Sequence, residues 1–561
     1  MSGGDKKRLK GGDKRQQRIN DLDELEKFRR NVPHVSKSAL SAIIKRGKEY
    51  GLPELHERHH MQEATEAAMD TSTVYGNMYQ TLDMQAAADG AKPLHLNVLN
   101  PLSFLLVLLT TCSSFSMYFE ELHDKTPSSF DKPWGISLYS DEVTPGDAFS
   151  VRLSRKIQVV YWSFLQFEHR LSDEDMWMTA SAKRSSEVQK MAGGMSQVIG
   201  TIAKLFLAGD SSFPTTGVTF KTMSGRKLRV FAKLKMVIQD GGAHKSTWHC
   251  KGDAGVRFCM LCRNVFSEKS DLAGADDDGG GSCSLLSYDK LDTATSREIK
   301  ESVQRVHDFK ATDTADEFKE REIANGFTWA PYTLLLDPEL GPHLRAAKQF
   351  AHDWMHCLFQ SGVFNITLFL VLRSVKRLAK TDIYHHLHEY IKKWHWPKKW
   401  KVNKPEDYFA ANKEKSNTDS KKFRCGASLG LSLAEVVLAF LQEALQSELR
   451  AAFMRAEMHI QAYAALVDLI NCFVCLPHGT VGPEEILERA ENFLNKFSRA
   501  FGVKCMTPKF HWLLHFSDQF HEFKRLVACF VHERKHRMVK RYCDNQLNTI
   551  TFELSILSEV S

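Results

Sequence analysis

Apolar and polar positions change their rhythm several times along this chain, and each change predicts a different element. Over residues 36–50 the apolar positions Leu40, Ile43 and Ile44 fall at helical spacing, and Gly51-Leu52-Pro53 stops the helix. The most apolar run, residues 102–109, follows Pro101 and gives way to Thr110, Thr111, Ser113 and Ser114. A membrane-crossing helix needs roughly 18 or more apolar residues, so this shorter run predicts a buried helix. The period then becomes strand-like. Residues 136–139, 157–167 and 216–239 are rich in Val, Ile, Phe and Tyr, and Met223-Ser224-Gly225-Arg226 offers a hairpin turn. Residues 270–284 are acidic and Gly-rich, and 402–424 are polar and Lys-rich, which predicts two surface loops. Residues 432–475 predict a long helix that opens with Ser432 and Glu435 in capping-box spacing and continues through Val436, Val437, Phe440 and Leu441. No internal repeat is visible, which argues against a solenoid.

Composition fits this α/β pattern. The 561 residues are 43% hydrophobic and 10% aromatic, enough to build the cores of several domains. Lys and Arg number 75 against 68 Asp and Glu, a net charge of +7, which is only a mild bias toward polyanions. The excess is concentrated at the start, where Lys6, Lys7, Arg8, Lys10, Lys14, Arg15 and Arg18 face only Asp5 and Asp13. Such a tail suits a nuclear-localisation signal, a phosphate-contacting arm or a solvated terminus. Twelve cysteines without regular spacing, and no secretory signal ahead of the tail, point to a reducing compartment, where paired cysteines suggest metal before disulfide. Nucleus or cytoplasm follows, and the nucleus is the expected location.

Two acids close strand-like runs: Asp141 follows Gly135-Ile-Ser-Leu-Tyr-Ser140, and Asp240 follows Leu228-Arg-Val-Phe-Ala-Lys-Leu-Lys-Met-Val-Ile-Gln239. An acid after a strand is more often a turn residue or helix cap than a catalyst. Several such acids converging on one spot are what divalent-metal phosphodiester chemistry needs, because Mg²⁺ is hard and prefers oxygen. Downstream lie Cys259 and Cys262 in Cys-Met-Leu-Cys, Met355-His356, His511 and His515 in Pro508-Lys-Phe-His-Trp-Leu-Leu-His515, and Glu533 in Val531-His-Glu-Arg-Lys-His-Arg537.

In this order and spacing the chain resembles the CACTA-like transposases and the catalytic core of the V(D)J recombinase. The resemblance spans residues 135–540 and rests on Asp141, Asp240, Cys259, Cys262, Met355-His356, His511, His515 and Glu533. It implies a ribonuclease H-like core interrupted before its last catalytic helix by a large α-helical insertion. Residues 1–95, which the resemblance does not reach, read from their own patterning as a basic tail and helical N-terminal region; on the resemblance 96–240 are the first part of the core, 241–500 the zinc-associated helical insertion, and 501–561 the last part of the core. It further implies a DDE-type DNA transposase in which Asp141, Asp240 and Glu533 hold Mg²⁺ or Mn²⁺, with His356 near the active site. Transposon ends and target DNA would be its partners, and a dimer or larger synaptic assembly its working form. A derivative that binds DNA or chromatin after losing transposition is the alternative, and a structural nuclear protein a further one.

The sequence departs from the family's pattern at Gly241-Gly242, which predicts a flexible loop after the second acid, and in the short remainder beyond Glu533, room for one helix. Asp353, in His352-Asp-Trp-Met-His356, competes with Asp240 as second acid, though its context reads as helical without a preceding strand. For zinc, Cys259 and Cys262 supply two of the usual four ligands. In the related proteins a distant His pair, here His511 and His515, supplies the others. The alternatives are a local site using Cys250 or His249, and no metal at all. Cys472 and Cys475 sit in an apolar run and read as core thiols. Finally, Lys392, Lys393, Lys398 and Lys399 interleave with Trp394, Trp396 and Trp400, which suits phosphate contact plus stacking on an unpaired base, or else a helix end with its tryptophans in the core. His356 carries the same ambiguity between active-site residue and buried, hydrogen-bonded helix histidine.

Overall fold

The structure is a computed structural model, and it describes residues 22, 25, 37–52, 54, 57–88, 90, 92–146, 155–267, 285–396, 404–545 and 552–560. It divides into two units, Met1–Met69 and Asp70–Ser561. The basic tail and the linker at 270–284 lie outside the described residues. The first unit contains the helices Lys37–Tyr50 and Arg58–Met69, the former ending at Gly51 with φ 79°, a left-handed stop that glycine adopts without cost.

The second unit is mixed α/β, built around a seven-stranded sheet. Its strands are β1 (Tyr79–Met84), β2 (Leu94–Leu99), β3 (Trp134–Val143), β4 (Ile157–Phe164), β5 (Met178–Arg184), β6 (Ala232–Gln239) and β7 (Phe350–His352). The spatial order is β7-β6-β3-β4-β5-β2-β1. β6 runs parallel to both β3 and β7, whereas β3-β4-β5-β2-β1 pair antiparallel. The centre of the sheet is dry on both faces, with seven consecutive buried residues from Trp134 to Ser140, which is why β3 reads as a near-continuous apolar run. Trp134, Trp162, Tyr139, Tyr161, Phe164 and Phe206 are among its largest fully buried side chains.

Several elements stand where the patterning places them: the buried helix Pro101–Thr111, capped by Asn100, the strands β3 and β4, and the hairpin Val218–Lys221/Lys227–Val230. Others correct it. The segment before residue 95 is not helical throughout, because Tyr79–Met84 and Leu94–Leu99 pair in register as sheet strands. Gly241-Gly242 is not a loop but the start of a helix, Gly241–Trp248, with Asp240 as its cap. The helix expected over 432–475 is two, Ala427–Gln446 and Glu457–Cys475. Ser432 lies inside the first, its hydroxyl donating to the Ser428 carbonyl instead of capping. Within the polar stretch 402–424, Ala411–Ser420 is helical, held down by the buried rings of Phe409 and Phe423. The remainder beyond Glu533 forms two helices, Phe530–Asn545 and Phe552–Val560.

The correction that matters most for function is β7. Residues 241–500 are largely helical, but Phe350–His352 returns to the sheet edge beside β6. Asp353 therefore does follow a strand, and the long excursion is interrupted by a piece of the sheet itself. Three helical stretches, Trp354–Ala379, Ala427–Gln446 and Arg450–His478, are long and apolar enough to cross a membrane by length and composition. Of their most apolar windows 78%, 44% and 61% are buried against the rest of the chain, so each contributes to the core.

Candidate functional site

The C-terminal ends of β3, β6 and β7 lie side by side, and each delivers an acid. Asp141 sits near the end of β3, with Oδ2 accepting from the Tyr139 hydroxyl at 3.0 Å and Oδ1 from the Glu142 amide at 2.7 Å. Asp240 directly follows β6, and its Oδ1 accepts from the Ala243 amide at 2.6 Å, capping the next helix. A side chain at Gly242 would come within 3.5 Å of the Asp240 Oδ1, and one at Gly241 within 3.1 Å of the Trp512 ring, so the two glycines keep this corner open. Asp353 directly follows β7.

Glu533 arrives from the other end of the chain, in the first turn of the Phe530–Asn545 helix. That helix is pressed onto the sheet by His532, whose ring stacks on Tyr139 at 3.7 Å between centroids and meets Trp177 edge-on at 4.1 Å. Atoms of Asp141, Glu533 and His536 thereby come within 4.8 Å of one another. Burial, then repulsion from Asp240, raises the Asp141 carboxyl from 3.8 to about 7.

His356 lies between these acids. Its Nδ1 is 2.5 Å from Asp353 Oδ2, and its Nε2 is 3.6 Å from Glu533 Oε1. Burial alone would strip the proton from this ring, but Asp353 and Glu533 outweigh it and raise the imidazole to about 10. The Glu533 carboxyl is in turn held low, chiefly by His356.

Asp353 has a different task from the other acids. Its Oδ1 accepts from the Met355 and Cys529 amides at 3.1 and 3.0 Å, and its Oδ2 from the His356 amide at 2.9 Å in addition to the His356 ring. Four donors leave it no lone pair suited to an ion. What it does instead is orient His356 and anchor Cys529, whose carbonyl accepts from the Glu533 amide at 3.0 Å.

A second cluster forms nearby. Cys259 Sγ is 3.4 Å from His515 Nε2, Cys262 Sγ is 3.5 Å from His511 Nε2 and 3.4 Å from His515 Nε2, and the two Nε2 atoms are 3.0 Å apart. All four residues are buried, and this Cys₂His₂ group could hold a metal ion. Cys250 does not join it; its thiol points to the His244 carbonyl at 3.8 Å, and burial pushes it up to about 12. His249 is also outside the cluster. Cys472 is buried, and burial raises its thiol to about 11.

The two clusters share a wall. The Pro508–Trp512 helix, which carries His511, also carries Lys509, whose Nζ donates to the His356 and Gln360 carbonyls at 2.9 and 2.7 Å.

The Lys/Trp motif is only partly described. Lys392 and Lys393 end the Ile383–Lys393 helix, Trp394 follows with 39% exposure, and Trp396 is half-buried against the core. Lys398, Lys399 and Trp400 lie outside the described residues.

Sequence reasoning missed His536 and the role of Asp353. The spacing of Glu533 and His536, three apart on one helix face, was the available signal for the first. Comparison with protein-family models finds no match for this chain, and comparison with curated proteins finds none either.

Proposed function

We propose that this chain is a DDE-type DNA transposase, or a recent derivative of one, acting on phosphodiester bonds in the nucleus. The observation that carries the reading is that Asp141 and Glu533, from far-separated stretches, place ligand atoms within 4.8 Å of each other, with Asp240 on the neighbouring strand end near enough to raise Asp141. The ribonuclease H-like reading of the core draws support from the run β7-β6-β3-β4-β5, three antiparallel strands extended by two parallel ones, with acids at the ends of neighbouring strands.

The residues fit a divalent cation. Carboxylates this close repel until a positive charge arrives, and the rise of Asp141 to about 7 is that repulsion added to burial. A bound divalent ion supplies Lewis acidity and an activated hydroxyl for attack on phosphorus. The protein's part is positional. Asp141 and Asp240 are fixed on rigid strand ends, and Glu533 closes the site from its helix. His356, held by Asp353, carries a positive charge beside the place where the phosphate's charge develops.

Zinc suits the second cluster. For tetrahedral coordination with Zn–S about 2.3 Å and Zn–N about 2.0–2.1 Å, neighbouring sulfur and nitrogen ligands lie about 3.5 Å apart. The 3.4–3.5 Å separations here agree, and burial of all four ligands leaves no open position, the mark of a structural site. It would pin the start of the helical excursion to its end.

The test uses full-length protein, Mg²⁺, and duplexes bearing the sequences that flank its gene. Strand cleavage leaving a 3′-hydroxyl, lost in folded Asp240→Asn and Glu533→Gln, is the expected result. Cleavage by folded Asp240→Asn would sink the assignment. Binding of DNA, with assembly into dimers or larger species but no cleavage by the wild type, would identify a derivative that kept the fold and lost the reaction.

A further inference from the structure

The helix that delivers Glu533 delivers a second group to the same place. Glu533-Arg534-Lys535-His536 is a Glu-x-x-His sequence, and the two end residues project from one helix face, the spacing by which helices in carboxylate-rich metal sites present an oxygen and a nitrogen ligand together. Asp141 faces them from β3, and ligand atoms of all three residues lie within 4.8 Å of one another.

His536 behaves as a ligand awaiting an ion. It is only 3% exposed. Its Nδ1 stands 3.9 Å from Glu533 Oε2, beyond hydrogen-bonding distance, and its buried Nε2 has no hydrogen-bond partner among the described residues. A buried ring nitrogen left without a hydrogen-bond partner costs free energy, which marks this ring as held for something other than the fold's own hydrogen bonding. The ring is wedged against Tyr139 and Tyr161, with centroids 5.9 and 5.8 Å away, so it is held in place beside the carboxylates.

We propose that Asp141, Glu533 and His536 form a mixed carboxylate–imidazole subsite for one divalent ion, so that this half of the centre prefers Mn²⁺ to Mg²⁺. The preference follows from ligand type. Mg²⁺ favours an all-oxygen octahedron and parts reluctantly with its waters, whereas an imidazole nitrogen suits first-row transition ions. The inference rests on the proposed carboxylate centre for its location, though not on phosphodiester cleavage.

The experiment is a Mn²⁺ titration of the zinc-loaded full chain without DNA, followed by electron spin echo spectroscopy of the bound ion. The expected result is one Mn²⁺ with a directly coordinated ¹⁴N, bound more tightly than Mg²⁺ competes for it. His536→Gln and His536→Phe, checked for folding by zinc content and thermal midpoint, should both lose the nitrogen signal and weaken Mn²⁺ by at least about tenfold while changing Mg²⁺ affinity little. Bound Mn²⁺ in the wild type without nitrogen coupling overturns the His536 assignment alone, and needs no variant to fold. Coupling that survives in His536→Gln and disappears in His356→Gln overturns it in favour of His356. No Mn²⁺ or Mg²⁺ binding to the wild type at all removes the carboxylate centre itself, and with it the proposed reaction.

Discussion

Two clusters of ligand-like residues lie on either side of one short helix, and they are built on opposite terms. The Cys259/Cys262/His511/His515 group is buried throughout, with three sulfur–nitrogen separations already at 3.4–3.5 Å. The Asp141/Asp240/Glu533 group is open on one side, where the Glu533 side chain is 45% exposed, and its charges are mutually repulsive. The first has nowhere for a substrate to enter, and the second has a reason to want one. Burial with soft ligands suits a structural clamp; partial exposure with hard ligands suits the reaction site proposed above.

The largest effect should come from breaking the clamp. His511→Ala should release the ion and destabilise the fold by several kcal/mol, because metal binding here is folding free energy. Zinc content together with thermal unfolding checks this, and full zinc retention would reject the four-ligand group. Next is His356→Gln, which leaves the buried Asp353 and its neighbour Glu533 without their cation. The expected cost is about 3–5 kcal/mol at neutral pH without added divalent ions. The His356 value rises from 6.5 to about 10 on folding, so its contribution is complete below about pH 6.5 and fades as pH climbs through about 10. Denaturant titrations should therefore show the wild type ahead of the variant at pH 7 and the two nearly equal at pH 10.5, and a pH-independent gap would refute the charged histidine.

Asp141→Asn should act in the other direction. Its carboxyl is raised from 3.8 to about 7, so the metal-free wild type loses stability as pH rises from about 4 to about 7. The variant should be more stable than the metal-free wild type at pH 8, by on the order of 1–3 kcal/mol, and equal to it below pH 4. Adding Mg²⁺ or Mn²⁺ should reverse the ranking. Equal stability at pH 8 would mean that the carboxylates are not in tension. The smallest effect separates Trp394 and Trp396, the two described tryptophans of the Lys/Trp motif. Trp394→Ala should weaken single-stranded DNA binding by about 1–3 kcal/mol with little change in melting, while the half-buried Trp396→Ala should mainly lower stability. Matching losses of affinity per folded molecule would put both on the binding surface.

The two centres were unequally legible in the sequence. Asp141 and Asp240 could be found because each closes a run with strand periodicity, and β3 and β6 do form there. The Cys pair and the His pair carried metal-ligand spacing, but only the fold brings them together, since no local pattern encodes a partner so far away. β7 escaped because three residues are too few to show a period, and Asp353 was misjudged with it. The break between Gln446 and Glu457 was hidden by apolar residues continuing across it, and β1 by its short, half-exposed alternation. His536 was overshadowed by its neighbour Glu533, which already had a role.

The Cys259–His515 contact spans 256 residues, and that distance has a temporal side. Loop closure over such a length is slow compared with formation of the local helices between, so the joint it closes belongs late in folding. During synthesis, Cys259 and Cys262 emerge long before the imidazoles at 511 and 515 exist. Until then the two thiols stand adjacent with no partners, able to oxidise to each other or to take a stray ion. The newborn chain is thus more sensitive to its redox surroundings than the finished protein, in which both sulfurs are sealed inside.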